Sequence, residues 1–128
     1  LAMLLIDLDH LKQMNDTFGH SAGDALINTV VKIMRDQLRP TDIAGRLGGD
    51  EFLLILPNTT HDQAKMIAEL IRQNVQNQVF HWEDKVLSMS LSIGVASLID
   101  ADANWNDWLQ RADHNLYLAK NSGRNQIV

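Results

Sequence analysis

The chain has no cysteine, only two prolines and no long apolar run among its 128 residues. Without cysteine it can have neither disulfides nor thiolate metal sites nor a cysteine nucleophile. Its apolar runs are far shorter than the roughly 18 residues that a membrane-spanning helix needs. Acidic residues outnumber basic ones by 16 to 11, which argues against a protein that binds nucleic acid by neutralising phosphates. A small polyphosphate substrate stays compatible, provided that a metal ion bridges the two negative partners.

Apolar periodicity divides the chain into alternating strands and helices. The predicted order is a strand at 1–6, a helix at about 22–38, a hairpin of strands 43–47 and 52–56, a helix at 64–75, a strand at 87–95, a helix at 105–119 and a short strand at 126–128. This order predicts an α/β sandwich in one domain, 1–128. Because the chain begins inside a strand, we expect the N-terminal edge of the domain to be missing from it.

The predicted strand 87–95 alternates large apolar residues with Ser88, Ser90, Ser92 and Gly94. A period of two gives this strand one bulky face and one small face. We expect the small face to let a helix pack closely. We interpret the serines as packing residues, because no histidine or aspartate completes a catalytic triad with them.

Two acidic residues, Asp7 and Asp9, follow the apolar run Leu1–Ile6. The period of a strand puts both on the same side. Carboxylates at a strand end suit Mg²⁺, a hard ion that binds oxygen ligands. The alternative is a merely solvated strand end, and this short motif does not separate the two interpretations.

The run Gly48-Gly49-Asp50-Glu51-Phe52 combines the turn of the predicted hairpin with two acidic residues. Two glycines allow a tight turn and the close approach of a ligand. Turns of this composition with solvated acids are also common. If the hairpin and the first strand are neighbours in one sheet, Asp7 and Asp50 converge on a shared site for one or two metal ions.

The polar segment from Lys12 to Asp24 links the first strand to the first helix. We interpret it as a loop, in the position where α/β folds usually bind ligands. The amide of Asn15 can donate and accept, and the carboxylate of Asp24 accepts from N–H groups, so together they could read a guanine edge. In the alternative interpretation Asn15 belongs to a turn and Asp24 lies near a helix N-terminus.

Two further clusters combine charged residues. Lys120 and Arg124 close the last predicted helix and could hold phosphate oxygens. Basic groups at this position also often only complement the helix dipole. Arg39 and Asp42 lie between the first helix and the hairpin, where such a pair is most often a surface ion pair.

Taken together, these motifs resemble the GGDEF domain family over essentially the whole chain. Gly48–Phe52 matches the five residues that name the family. The segment Asp7–Asp24 is similar to the first family motif, and Ser92–Val95 and Arg111–Asn125 resemble its later blocks in order and spacing.

The resemblance implies a diguanylate cyclase with a fold like the palm of class III nucleotide cyclases, a central, mostly antiparallel sheet flanked by helices. Two GTP molecules, one on each protomer of a homodimer, would condense to cyclic di-GMP and two pyrophosphates. Mg²⁺, with Mn²⁺ as the alternative, would be bound by Asp7, Asp50 and the carbonyl of Leu8. Asp50 is also the family's proposed general base. The other implied roles are metal or nucleophile activation for Glu51, charge stabilisation for Lys12, substrate contact for Gly48 and Gly49, guanine recognition for Asn15 and Asp24 with His20 nearby, and binding of terminal phosphates for Lys120 and Arg124.

The resemblance also implies product inhibition. Arg39 and Asp42 match the inhibitory R-x-x-D site of active cyclases, with the family's spacing before Gly48. The second product-binding arginine, expected on the next helix, has no clear match, because Met66 and Leu70 face the region where it should lie. Arg72 is the only nearby candidate.

Two alternatives to this interpretation stay open. One is a non-catalytic receptor that binds cyclic di-GMP through Arg39 and Asp42. The other is a cyclase with a different base preference, which Asp24 disfavours as a guanine-reading carboxylate. We expect a bacterial, cytoplasmic signalling domain without contacts to nucleic acid or membrane. Its parent protein could carry a sensor, a coiled coil or a membrane anchor before Leu1.

Overall fold

A computed structural model describes all 128 residues as a sheet flanked by helices. The strands are β1 (Ala2–Leu8), β2 (Ile43–Arg46), β3 (Glu51–Leu56), β4 (Phe80–Trp82), β5 (Lys85–Leu87), β6 (Leu91–Ser97) and β7 (Gln126–Ile127). The helices are α1 (Leu11–Phe18), α2 (His20–Asp36), α3 (His61–Asn77) and α4 (Trp105–Asn121). None of these helices is both long enough and apolar enough to cross a membrane.

The central sheet has five strands in the order β2-β3-β1-β6-β7. All neighbours are antiparallel except β6 and β7, which are parallel. The predicted mostly antiparallel sheet and the hairpin beside the first strand are therefore confirmed. Near its end, β1 places Asp7 opposite Glu51 of β3 on one side and Ser92 of β6 on the other.

The two faces of the sheet carry cores of very different size. Alternate β1 residues, among them Leu4 and Ile6, join a cluster of 22 buried residues with α2 and α3. The residues between them, Met3 and Leu5, join a cluster of only six with α4. The period-two side-chain direction of a strand produces this division. Asp7 continues the series of Met3 and Leu5, so the acidic end of β1 belongs to the α4 face.

Helix α4 packs directly against β6 because Gly94 has no side chain. A Cβ at Gly94 would lie 2.2 Å from the carbonyl oxygen of Ala112 and 2.5 Å from the nitrogen of Leu116. The small face predicted for this strand is therefore confirmed. The indole of Trp108, on the buried side of α4, donates a 2.8 Å hydrogen bond to the carbonyl of Ala96.

Two sequence predictions need correction. Residues 11–18 form helix α1 rather than a loop, because Leu11 is buried and Met14 and Phe18 pack on the large core at helical spacing. The abundant polar residues of this segment concealed that narrow apolar stripe. The single strand predicted at 87–95 is two strands, since β5 pairs with β4 in a separate hairpin and β6 begins at Leu91.

Candidate active site

Two carboxylates meet where β1 ends and β3 begins. Asp7 is buried, with 7% of its surface exposed, and Asp50 directly precedes β3. The backbone N–H of Leu8 donates a 3.0 Å hydrogen bond to the carbonyl of Asp50, which fixes the turn beside the strand end. The structure thus brings Asp7 and Asp50 together, as the hairpin arrangement predicted.

The environment of Asp7 disfavours its charged form. Burial raises the pKa of Asp7 to about 6, and the neighbouring Asp50 adds to the increase, whereas Lys120 opposes it. Asp7 and Lys120 form an ion pair through Oδ2 and Nζ. Burial, the largest single effect, would lower the pKa of Lys120, but the hydrogen bond to Asp7 and the charges of the neighbouring acids together raise that pKa. The lysine therefore neutralises only part of the negative charge that gathers at this strand end.

A divalent cation fits this arrangement of oxygen atoms. Oδ1 of Asp7 is buried and has no hydrogen-bond partner, although its environment is polar. An unpartnered buried oxygen is costly, and a cation would satisfy it. The chain has no cluster of three or more acidic or histidine side chains suited to a metal. This agrees with the habit of Mg²⁺, which commonly takes one or two carboxylates together with waters and substrate phosphates.

Arg46 holds the Gly48-Gly49 turn in place, a contact that the sequence analysis missed. Its guanidinium donates to the carbonyls of Gly48, at 3.1 Å, and Gly49, at 2.5 Å. The same group lies over the ring of Phe52, 5.8 Å from the centroid. An arginine two residues before a Gly-Gly turn is the only signal that could have indicated it.

Glu51 adds a third acidic group next to this pair. Burial raises the pKa of Glu51, with Lys120 acting in the opposite direction and Asp113 and Asp50 adding to the increase. The raised pKa makes Glu51 a better proton acceptor than an exposed glutamate.

A second polar corner forms where α1 meets α2. The side chain of Asn15 packs on Gly23, where a Cβ would lie 1.7 Å from Oδ1 of the asparagine. This Oδ1 is buried and has no hydrogen-bond partner. Asp24 follows Gly23 and is exposed, and His20 begins α2 and is exposed as well. The corner therefore combines a buried, unpartnered amide oxygen with an exposed carboxylate on the residue after Gly23.

Helix α1 directs its N-terminus toward the acidic strand end. It begins three residues after Leu8, and no side chain caps its first turn. Uncapped N–H groups at a helix start attract anions such as phosphate. Lys12, in this first turn, is exposed and makes no hydrogen bond within the chain.

Asp9 lies next to the site, but its oxygens are already used. Its Oδ2 accepts hydrogen bonds from the hydroxyl of Ser90, at 2.6 Å, and from the N–H of Asn125, at 3.0 Å. Its Oδ1 accepts from the hydroxyl of Ser92 at 2.6 Å. Ser90 and Ser92 are therefore hydrogen-bond donors to a buried carboxylate, which corrects their interpretation as packing residues.

The two basic residues at the end of α4 differ in their surroundings. Lys120 contacts Asp7, as described above, whereas the guanidinium of Arg124 is exposed and makes no hydrogen bond within the chain. Arg124 has a left-handed backbone, with φ of 62°. One basic group is thus in the site, and the other is free at its margin.

Arg39 and Asp42 lie at the opposite end of β3 and contact each other. The guanidinium donates to both oxygens of Asp42, at 3.3 and 3.0 Å, and also to the Pro57 carbonyl and the Thr59 hydroxyl. A surface groove beside Arg39 is lined by Met66, Ile67 and Leu70, among other residues. The groove thus has apolar residues on α3 where a second arginine was expected.

Arg72, the candidate for that second arginine, points elsewhere. Its guanidinium bonds to Glu69, to Gln76 and, at 3.0 Å, to Oδ1 of Asn125 near the acidic strand end. The side chain is 14% exposed. Arg72 therefore does not line the groove beside Arg39.

Several known proteins with similar sequences carry the name diguanylate cyclase. The chain is 39% identical over 128 residues to diguanylate cyclase A of Treponema denticola, and 38% identical over 131 residues to the response regulator PleD of Caulobacter vibrioides. In both cases it aligns over 100% of its own length, but it spans only 34% and 29% of those relatives.

Solved structures agree with the sequence comparison. The GGDEF domain of DgcB from Caulobacter crescentus was solved in complex with c-di-GMP. It has a TM-score of 0.95 at 29% identity, and the match covers 99% of this chain and 75% of the DgcB chain. SiaD of Pseudomonas aeruginosa, solved with its activator SiaC, has a TM-score of 0.93 at 35% identity. The match covers 99% of this chain and 48% of the SiaD chain. The family model described as "Diguanylate cyclase, GGDEF domain" matches residues 1–126. By fold and by sequence, the chain therefore belongs to the GGDEF family.

Proposed function

We propose that this domain is a diguanylate cyclase that condenses two GTP molecules into cyclic di-GMP and two pyrophosphates. The observation that carries the proposal is the meeting of Asp7 and Asp50 beside a glycine turn, with one buried carboxylate oxygen unpartnered. Family membership supports the same activity. The chain is acidic overall, so a polyphosphate substrate needs the local positive charge that a metal and nearby basic residues supply.

Each half of the reaction is a phosphoryl transfer. The 3′-oxygen of one GTP attacks the α-phosphorus of the other, a P–O bond forms, and the bond to the β-phosphate breaks and releases pyrophosphate. The proton of the 3′-hydroxyl passes to a carboxylate, for which we propose Asp50 with Glu51 sharing in activation. Such transfers depend on positioning and charge stabilisation more than on covalent help from the protein.

We assign the metal to Asp7, Asp50 and the carbonyl of Leu8. A bound Mg²⁺, or Mn²⁺ in its place, would supply charge neutralisation at the phosphates and lower the pKa of the attacking hydroxyl. Lys120 is then free to leave its bond with Asp7 and turn to phosphate oxygens. Lys12 and the uncapped start of α1 would take up further phosphate charge.

The corner between α1 and α2 is our candidate guanine pocket. The amide of Asn15 and the carboxylate of Asp24 offer acceptors that suit the N1–H and N2–H₂ groups of guanine. The packing of Asn15 on Gly23 supports a fixed position for the amide. His20 lies at the same helix start, and Arg124 at the margin would hold terminal phosphates.

Two protomers are needed because each holds one GTP and thus half of the reaction. We propose a homodimer in which the two sites face each other. The test is to incubate the purified protein with Mg²⁺ and GTP, to measure pyrophosphate and cyclic di-GMP, and to follow the oligomeric state by sedimentation. Activity should rise with the dimer fraction and disappear in Asp50→Ala.

The control is Asp62→Asn, which removes an exposed acid on α3 far from the site and should retain activity. A dimer that yields no product would contradict the proposal. Tight binding of cyclic di-GMP without turnover would instead favour the receptor alternative. Equal rates with ATP and GTP would contradict guanine recognition by Asn15 and Asp24.

We further propose that the product inhibits the enzyme through Arg39 and Asp42. The product would have to displace the bonds that these residues make with each other and with Pro57. The apolar residues Met66 and Leu70 would contact it in place of a second arginine. Arg39→Ala should raise the product concentration that halves the rate without changing the initial rate. An unchanged inhibition curve would contradict this site.

A further inference from the structure

The segment that follows α4 has an uncommon backbone conformation. Gly123, Arg124 and Asn125 have φ of 117°, 62° and 47°, so three successive residues lie in the left-handed region. Residues other than glycine adopt this backbone region rarely. A run that includes arginine and asparagine therefore needs support from its surroundings. The turn carries Arg124, whose guanidinium is free.

Asp9 supports this turn from the side of β1. Its Oδ2 accepts the N–H of Asn125 at 3.0 Å, across 116 residues of sequence. Asp9 is 5% exposed, and Ser90 and Ser92 hold its carboxylate in one orientation. The two acids at the end of β1 and just after it thus face the same segment, since Asp7 contacts Lys120 before the turn and Asp9 contacts Asn125 at its end.

Arg72 supports the turn from the side of α3. Its Nη1 donates to Oδ1 of Asn125 at 3.0 Å and approaches the carbonyl of the same residue at 3.5 Å. Glu69 and Gln76, one turn before and after Arg72 on α3, bind the guanidinium and restrict its orientation. Asn125 is therefore held at its backbone by one charged group and at its side chain by another.

We infer that Asp9 and Arg72 are positioning residues that hold the left-handed turn Gly123–Asn125 and thereby place Arg124 for binding terminal phosphates. Neither residue contacts substrate in this role, because each acts through Asn125. The inference rests on the proposed function, which gives Arg124 its phosphate contact. Apart from Asp9 and Arg72, no charged side chain bonds to Asn125.

The test compares a triphosphate with a monophosphate, so that the phosphate contact is separated from the guanine contact. Binding of 3′-deoxy-GTP, which lacks the attacking hydroxyl, and of GMP is measured by calorimetry with Mg²⁺. Asp9→Asn and Arg72→Gln should each weaken the binding of 3′-deoxy-GTP about tenfold, as loss of a positioning partner commonly does. The affinity for GMP should stay within about twofold of the unaltered protein. Arg124→Ala should give the same pattern.

Two controls separate positioning from general destabilisation. Glu69→Gln removes the charge of the ion pair on α3 but keeps an amide oxygen that can accept from Arg72, so Arg72 retains its bond to Asn125 and the variant should retain triphosphate affinity. Arg111→Gln removes an arginine that bonds to an aspartate and a backbone carbonyl beyond the other end of β6, and should lower stability without selective loss of the triphosphate. Hydrogen exchange at the Asn125 amide should accelerate in Asp9→Asn.

The outcomes are distinct. Asp9→Asn combined with Arg124→Ala should bind 3′-deoxy-GTP no more weakly than Arg124→Ala alone, since the turn acts through that arginine. The inference would be overturned if the affinity losses of Asp9→Asn and Arg124→Ala added up in the double variant. It would also be overturned if a variant lost affinity for GMP and for 3′-deoxy-GTP equally. If Asp9→Asn does not fold, Arg72→Gln decides by the same criteria. If Arg124→Ala changes the affinity for neither ligand, the phosphate role of Arg124 in the proposed function fails. The positioning inference then fails with it, even if hydrogen exchange at the Asn125 amide accelerates in Asp9→Asn.

Discussion

The two faces of the central sheet differ in what they bury. The core between the sheet and helices α2 and α3 has 22 buried residues, whereas the core on the α4 face has six. On the α4 face, acidic residues follow the apolar ones at the end of β1. On the larger face the side chains exclude water and contribute mainly to stability. On the smaller face the same strand ends in Asp7, which has an unpartnered oxygen and a pKa raised to about 6.

This difference shows how one strand can serve folding and chemistry together. Because successive side chains of β1 point to opposite faces, Leu4 and Ile6 are buried independently of Met3 and Leu5. The large core can therefore offset the cost of burying a carboxylate on the other face. The four predictions below test this separation, beginning with the largest expected effect.

The close contact between β6 and α4 should be the most sensitive point of the smaller face. Gly94→Val puts its side chain against backbone atoms at 2.2 and 2.5 Å, which cannot move as a flexible side chain could. We expect a loss of at least about 4 kcal/mol in the free energy of unfolding, measured by urea denaturation. Gly45→Val is the matched control, because nothing lies within 4 Å of a Cβ there. Equal effects of the two variants would contradict this packing.

The larger face should tolerate a cavity without loss of function. Leu4→Ala removes a fully buried side chain and should lower the free energy of unfolding by about 3–4 kcal/mol. The affinity of the folded fraction for GTP should stay unchanged. Leu5→Ala, on the α4 face, should lower both stability and affinity. A loss of affinity in Leu4→Ala would show that the two faces are coupled.

The raised pKa of Asp7 should make stability fall as the pH rises. Between its ordinary pKa of 3.8 and about 6, the folded chain keeps a proton that the unfolded chain releases. The stability contribution of this group therefore falls through that window, by about 2–3 kcal/mol in total, and stays low at higher pH. Asp7→Asn should lack this decrease. Denaturation at pH 4 and pH 7 compares the two proteins, and parallel pH profiles would contradict the raised pKa.

The corner between α1 and α2, our proposed guanine pocket, lies on the larger face, so it tests whether guanine recognition can be lost without a loss of stability. Gly23→Ala places a Cβ against Oδ1 of Asn15, the movable end of a side chain, while alanine favours the helix by about 1 kcal/mol. The net change in unfolding free energy should stay within about 1 kcal/mol. The preference for GTP over ITP, which lacks the N2 amine, should fall roughly tenfold, the value of about one hydrogen bond. Unchanged preference would contradict the role of Asn15.

The sequence predicted most of the strands and helices because their apolar residues repeat with a clear period. It failed at α1, where Leu11, Met14 and Phe18 are the only apolar positions among polar ones. It also failed to separate β5 from β6, because Met89 is buried in the core although it lies outside either strand. Its burial continued the apolar alternation through three residues that belong to neither strand.

Local spacing along the chain was enough to predict that Asp7 and Asp9 lie on one side of a strand and that a glycine turn carries Asp50. Which groups these acids face depends on the tertiary fold. Lys120 and Asn125 are more than 100 residues away in sequence. Lys120 reaches the strand end because α4 packs on β6, and Asn125 because β7 pairs with β6. Local spacing fixes side-chain direction, but contacts of this kind depend on how the chain returns to the sheet, which no local pattern contains.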